Sequence, residues 1–149
     1  MKVLTLANEF PSFHPMRGKP TGFAEKFLRG EKLHTCRSNE KGFWKTGDIA
    51  SVRRWTGKPY QSQQAVVAEP VALRVVPVRI ECLCVVEHIY LKVMLGENRL
   101  NLDSRKFIRN DGLTVIDFLD WFFPLWKKED SLVWCGSCVF FGEARYDVE

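Results

Sequence analysis

Residues 65–95 constrain this chain more than any other segment, because they offer almost nothing but sheet-forming sequence. The runs 65–68, 72–80 and 83–86 are rich in β-branched residues, and 89–95 alternates before a turn at Gly96-Glu97-Asn98. β-Branched side chains crowd a helix but pack well on a pleated surface. The middle third therefore predicts strands, and the flanking segments must extend or cover the sheet. Val3 to Ala7 suits a first strand, followed by a loop with Pro11, Pro15 and Pro20. Thr21 is placed to cap a helix in which Phe23, Ala24, Phe27 and Leu28 follow helical spacing, and Gly30 stands at its C-cap. After a polar loop over 38–47, residues 48–55 read as a strand that ends in the turn Thr56-Gly57-Lys58-Pro59. Beyond the middle third, 104–110 predicts a short helix broken by Asp111-Gly112. Thr114 caps a second helix with Ile116, Phe118, Leu119, Phe122 and Phe123 apolar, stopped by Pro124, and 131–141 returns as a closing strand. Many short strands with two or three short helices predict an α+β fold built as a small closed or partly open β-barrel with peripheral helices.

The chain's 149 residues, 46% of them hydrophobic, make one domain with a single core, spanning 1–149. No apolar run approaches the ~18 residues a membrane helix needs, and the first residues lack a secretory apolar region and cleavage site, so no membrane partner and a cytoplasmic location are expected. Five cysteines, an odd number, predict reduced thiols rather than a disulfide framework.

Gly30-Glu31-Lys32-Leu33-His34-Thr35-Cys36-Arg37 reads as a glycine turn feeding a short strand. Side chains two apart share a strand face. Thr35 and Arg37 therefore point into one space, which Lys32 reaches if the strand begins with a bend. A hydroxyl, an ammonium and a guanidinium converging there suit an anionic or carbonyl-bearing ligand. The charge distribution agrees: residues 26–58 hold nine basic and three acidic residues, and residues 111–149 hold three basic and eight acidic. Such a split can steer a phosphate-bearing ligand toward this strand. Within the basic segment Trp44, Lys45, Arg53, Arg54, Trp55 and Tyr60 offer cations beside rings able to stack on a nucleobase, or simply rim packing.

The segment resembles the signature of the ASCH family of PUA-like barrels, Gly-x-Lys-x-x-Glu-x-Arg, with Gly30, Lys32 and Arg37 matching and Thr35 where most of that family has Glu. Thr there is similar to the branch that includes small bacterial amidohydrolases acting on N4-acetylcytidine. The resemblance continues through Trp44-Lys45-Thr46-Gly47-Asp48-Ile49 and Asn110-Asp111-Gly112-Leu113, and as a pattern of elements it covers roughly residues 20 to 142. It implies a PUA-like barrel that binds RNA or another nucleic acid, or a modified nucleoside, in a basic cleft on the Gly30 to Arg37 strand. It also implies, as the alternative, an amidohydrolase in which Thr35 is nucleophile, Lys32 base and Asp111 acid, one methylene shorter than that branch's glutamate. In either case Arg37 orients the ligand, with Trp44, Lys45, Arg53, Arg54 and Trp55 as further ligand-binding candidates. A non-catalytic accessory or protein-interaction role is the third reading.

No metal and no cofactor are expected. Cys135-Gly136-Ser137-Cys138 lies in a predicted strand, where positions three apart face opposite ways, so a redox pair is disfavoured. Cys82 and Cys84 beside that pair have unusual spacing for a four-thiolate zinc site, and buried structural thiols are the default. His14, His34 and His88 have no carboxylate or cysteine at ligand spacing, and His34 is expected to face away from Thr35.

Overall fold

The computed structural model describes residues 1–97 and 100–146. In chain order its elements are β1 (Lys2–Leu6), α1 (Phe23–Leu28), β2 (His34–Arg37), β3 (Ile49–Trp55), β4 (Gln64–Val85), β5 (His88–Leu95), β6 (Leu100–Leu102), α2 (Ser104–Asn110), α3 (Val115–Phe122) and β7 (Ser131–Phe141). The fold is α+β, with a strand-rich sheet and three helices, as the sequence predicts. No helix among the described residues is long and apolar enough to cross a membrane.

The middle third departs from expectation in one respect: β4 is a single strand of 22 residues instead of three shorter ones. Proline lacks an amide donor and normally ends a ladder, but neither proline interrupts β4. Glu69 and Pro70 stand opposite Ser51, where the β3–β4 register shifts between Ala50 and Val52, so the bulge needs no bond from Pro70. Pro77 opposes Ser137 of β7, and its carbonyl accepts from the Gly96 amide at 2.9 Å. The expected turn at Gly96-Glu97-Asn98 is described only as far as Glu97, and Asn98 lies outside the described residues. The short strand β6 that follows has no counterpart in the sequence reading.

One half of β4 pairs with β3 and the other half lies between β5 and β7. β1 joins β3 in parallel, β2 joins β7, and β6 joins β5. Among the described residues no pairing joins β1 to β2 or to β6, so the sheet is open. The helices close its apolar face. Phe107 and Ile108 of α2, with Phe118 and Leu119 of α3, are fully buried against Leu4, Val52, Ile80 and Phe140. The caps of α2 and α3 are side-chain oxygens: Asp103 accepts from the amides of Arg105 and Lys106, and Thr114 from that of Asp117. For α1 the cap is Gly22 rather than Thr21, whose hydroxyl donates to the Ala7 carbonyl at 2.6 Å and so ties the helix entry to the end of β1.

The β2–β7 contact is close at Gly136, where a Cβ would lie 2.5 Å from the Arg37 carbonyl oxygen and 2.4 Å from the Trp134 ring. Only glycine fits there, because one of the two obstacles is the backbone of β2 itself, which cannot swing aside as a side chain can. Gly136→Ala is expected to destabilise the protein by about 1–3 kcal/mol, the usual cost of overpacking. An unchanged denaturant midpoint would show that β2 can move away freely.

Candidate functional site

Two of the edge strands of the sheet, β1 and β2, approach one another. Arg37 of β2 donates from Nη2 to the Thr5 carbonyl of β1 at 2.9 Å, bridging a gap that no ladder closes. A concavity enclosing about 420 Å³, counting the part open to solvent, occupies this gap. Thr5, Leu6 and Ala7 line one side and Lys32, Thr35, Cys36 and Arg37 the other, with Phe23, Asp111, Leu113, Trp121 and Phe122 completing the wall.

The end of α1 explains how Asp111 arrives there. Gly30, at φ +73°, takes the left-handed conformation that follows many helix ends, and the chain doubles back so that the amides of Glu31 and Lys32 both donate to the Lys26 carbonyl. From this bend three donors reach three successive carbonyls. The Leu33 amide meets the Asn110 carbonyl at 2.8 Å, Lys32 Nζ meets that of Asp111 at 2.5 Å, and Lys26 Nζ meets that of Gly112 at 2.8 Å. The stretch after α2 is thus bound to the base of β2, although they are far apart in sequence.

Lys32 is 2% exposed, Thr35 6% and Asp111 3%, which decides that any ligand reaching them is itself desolvated. Lys32 Nζ also lies 3.5 Å from Asp111 Oδ1 and 4.2 Å from the centre of the Phe23 ring. Burial pushes the Lys32 ammonium below the usual lysine range, against the opposing pull of the Asp111 carboxylate. Burial likewise depresses Arg37.

The structure therefore brings together Lys32, Thr35, Arg37 and Asp111. The remaining candidates lie elsewhere. Trp44 lines a shallow neighbouring concavity with Lys41 and Phe43, joined to the first through Arg37. Trp55 lines a third with Tyr60, their rings 5.1 Å apart, which meets the first at Thr5 and Ala7. Arg54 faces a fourth beside Glu9 and Glu25. Arg53 donates to the Ser51 hydroxyl at 2.9 Å, and neither it nor Lys45 lines the central concavity.

Two walls of the site escaped the sequence reading. Phe23 and Trp121, whose rings are 5.7 Å apart, come from helices that the sequence marks only by their apolar spacing. His34 does face away from Thr35, since it opposes Phe140 while Thr35 opposes Val139. It nevertheless has a carboxylate beside it: its Nδ1 is 3.3 Å from Asp111 Oδ1. Burial, the largest single influence, pushes its pKa down, but Asp111 and Cys36 together raise it above the ordinary histidine value. The four cysteines at 82, 84, 135 and 138 do not gather. Cys138 is buried opposite Cys36, Cys135 is exposed, Cys84 bonds the Trp126 carbonyl, and burial lifts the Cys82 thiol to about 11.

Comparison of the chain with protein-family models, with curated proteins and with solved structures gives no match.

The Lys32–Asp111 contact is testable through stability alone. Lys32→Met and Asp111→Asn are each expected to destabilise by about 1–3 kcal/mol, because each leaves a buried polar partner unsatisfied. The double variant is expected to lose less than the sum, by about 0.5–3 kcal/mol. Strict additivity in denaturant titrations would mean that the two groups do not interact.

Proposed function

We propose that the concavity between β1 and β2 takes one modified nucleoside and hydrolyses an N-acyl group from its cytidine-like base. The observation that carries this reading is that Lys32, Thr35 and Asp111, each more than nine-tenths buried, line one concavity of about 420 Å³. Arg53 and Arg54, which a polynucleotide groove would need beside the signature strand, are not part of it. The Phe23 and Trp121 rings supply an apolar wall for a base. The fold this reading implies is the PUA-like barrel that the Gly30 to Arg37 segment resembles, opened along β1 and β2.

In the reaction, the Thr35 hydroxyl oxygen attacks the acyl carbonyl while its proton passes to neutral Lys32. Holding lysine neutral is what burial favours at this position. Arg37 spends one N–H on Thr5 and keeps others that can be directed at the developing oxyanion. The C–N bond breaks as the leaving exocyclic nitrogen takes up a proton, for which Asp111 is the acid. Water then attacks the Thr35 ester and gives a proton to the Asp111 carboxylate, the Lys32 ammonium returns its proton to the departing Thr35 oxygen, and the carboxylic acid leaves with all three groups restored. Water is held back until a ligand enters, because all three groups lie beneath the surface.

Wild-type protein is expected to release acetate from N4-acetylcytidine. Thr35→Ala should abolish turnover while nucleoside binding largely survives, since the hydroxyl is needed for bond formation more than for ground-state affinity. Turnover of a panel of N-acylated nucleosides, followed by chromatography, and calorimetric binding make the test. A folded wild type that binds nucleosides and hydrolyses none would reduce the site to a binding module. Affinity for single-stranded RNA falling with salt by about 0.7 log units per log unit for each phosphate contacted would return the reading to a nucleic-acid surface.

A further inference from the structure

Beneath the concavity, on the opposite face of β2, lies a second group of reactive side chains that the proposed hydrolysis does not use. Cys36 of β2 and Cys138 of β7 stand directly opposite in the antiparallel ladder, and His34 sits two residues from Cys36 on the same face. One ligating atom from each of His34, Cys36 and Cys138 lies within 4.8 Å of the other two, and all three residues are buried. We propose that His34, Cys36 and Cys138 form a binding site for a thiophilic divalent cation of the zinc class.

Three features of His34 support it. Its Nε2 is 2.6 Å from the Tyr146 hydroxyl. With Nε2 donating to that hydroxyl, Nδ1 is the nitrogen left as ligand, the usual arrangement around a metal-bound histidine. That other nitrogen, Nδ1, is fully buried and makes no hydrogen bond. Asp111 Oδ1 is 3.3 Å away but lacks the alignment a hydrogen bond requires. An orphaned buried nitrogen is costly to keep unless something satisfies it, and a cation would.

The spacing fits the chemistry. Zinc holds sulfur at about 2.3 Å and nitrogen or oxygen at about 2.0–2.1 Å in a tetrahedron, which sets two sulfurs about 3.8 Å apart and a nitrogen and an oxygen about 3.3 Å apart. The three ligand atoms contract to this from their present separation by small side-chain rotations. Two thiolates and an imidazole select zinc or cobalt over magnesium or calcium, which prefer oxygen. Phe107, stacked on His34 at 4.6 Å, and Phe140 at 5.4 Å keep the neighbourhood apolar. Binding displaces the two thiol protons to solvent. The set is distinct from the Cys82, Cys84, Cys135 and Cys138 combination considered from spacing.

The test uses full-length protein kept reduced with a non-chelating phosphine, stripped of metal and titrated with Zn²⁺ and with Co²⁺. One equivalent of either should bind, Co²⁺ should give thiolate-to-metal charge-transfer absorption, and Zn²⁺ should raise the thermal midpoint. Cys36→Ala and Cys138→Ala should each abolish the absorption and the rise, whereas Cys135→Ser should keep both. The thermal shift needs no variant, so misfolding of a thiol variant does not obscure the result. Folded wild type showing neither absorption nor stabilisation would overturn the proposal. So would binding that disappears with Cys135→Ser and survives Cys36→Ala, since the cation would then sit on the surface.

Discussion

Backbone hydrogen bonding along β4 is the constraint on which the remaining strands depend. β3, β5 and β7 pair with it directly, and β1, β6 and β2 attach through those three. A strand shared in this way has to turn between neighbours without losing its ladder. The bulge opposite Ser51 provides the place, and it explains why Glu69 and Pro70 are tolerated inside so long a run. The position of the functional groups follows from the same arrangement. β1 and β2 hang from β4 by different partners, so their edges meet without pairing, and the gap between them becomes a cleft instead of a seam.

Much of the architecture was legible because its signals are local. Pro124 stops α3 one residue after its cap, Thr114 caps it as its spacing from Ile116 and Phe118 implies, and the alternation over 89–95 became β5. The joined β4 was not legible. A proline within a β-branched run reads as a break, and only the partner strand's bulge, which depends on register, removes the need for its missing amide. The capping glycine at 22 was overlooked for a related reason: Thr21 carries the residue type that caps helices, and its hydroxyl does accept from the Phe23 amide at 3.3 Å while donating to the Ala7 carbonyl, but the left-handed Gly22 stands between it and the first helical residue.

The candidate site divides along the same line. Thr35 and Arg37 share a face by strand periodicity, and the bend that brings in Lys32 follows from Gly30. The meeting with Asp111 needed an alignment of chain segments that periodicity does not supply. It is achieved by three donors on 26–33 reaching the carbonyls of 110–112. Trp44, Lys45, Arg53, Arg54 and Trp55 looked like one basic, aromatic surface because they are close in sequence. On the molecule they spread around several concavities, since alternate residues of β3 face opposite ways. Conversely, His34, Cys36 and Cys138 looked unrelated, and the register of β2 against β7 is what gathers them.

That register also sets an order of events during synthesis. Among the described residues β2 draws its ladder partners from β7 alone, about a hundred residues later in the chain. While the ribosome is still making the middle strands, residues 34–37 have no ladder partner, and the cleft and the cluster beneath it are not yet assembled. Both appear only when the last strand emerges. A chain released early therefore exposes Thr35, Cys36 and the apolar edge of β4 together.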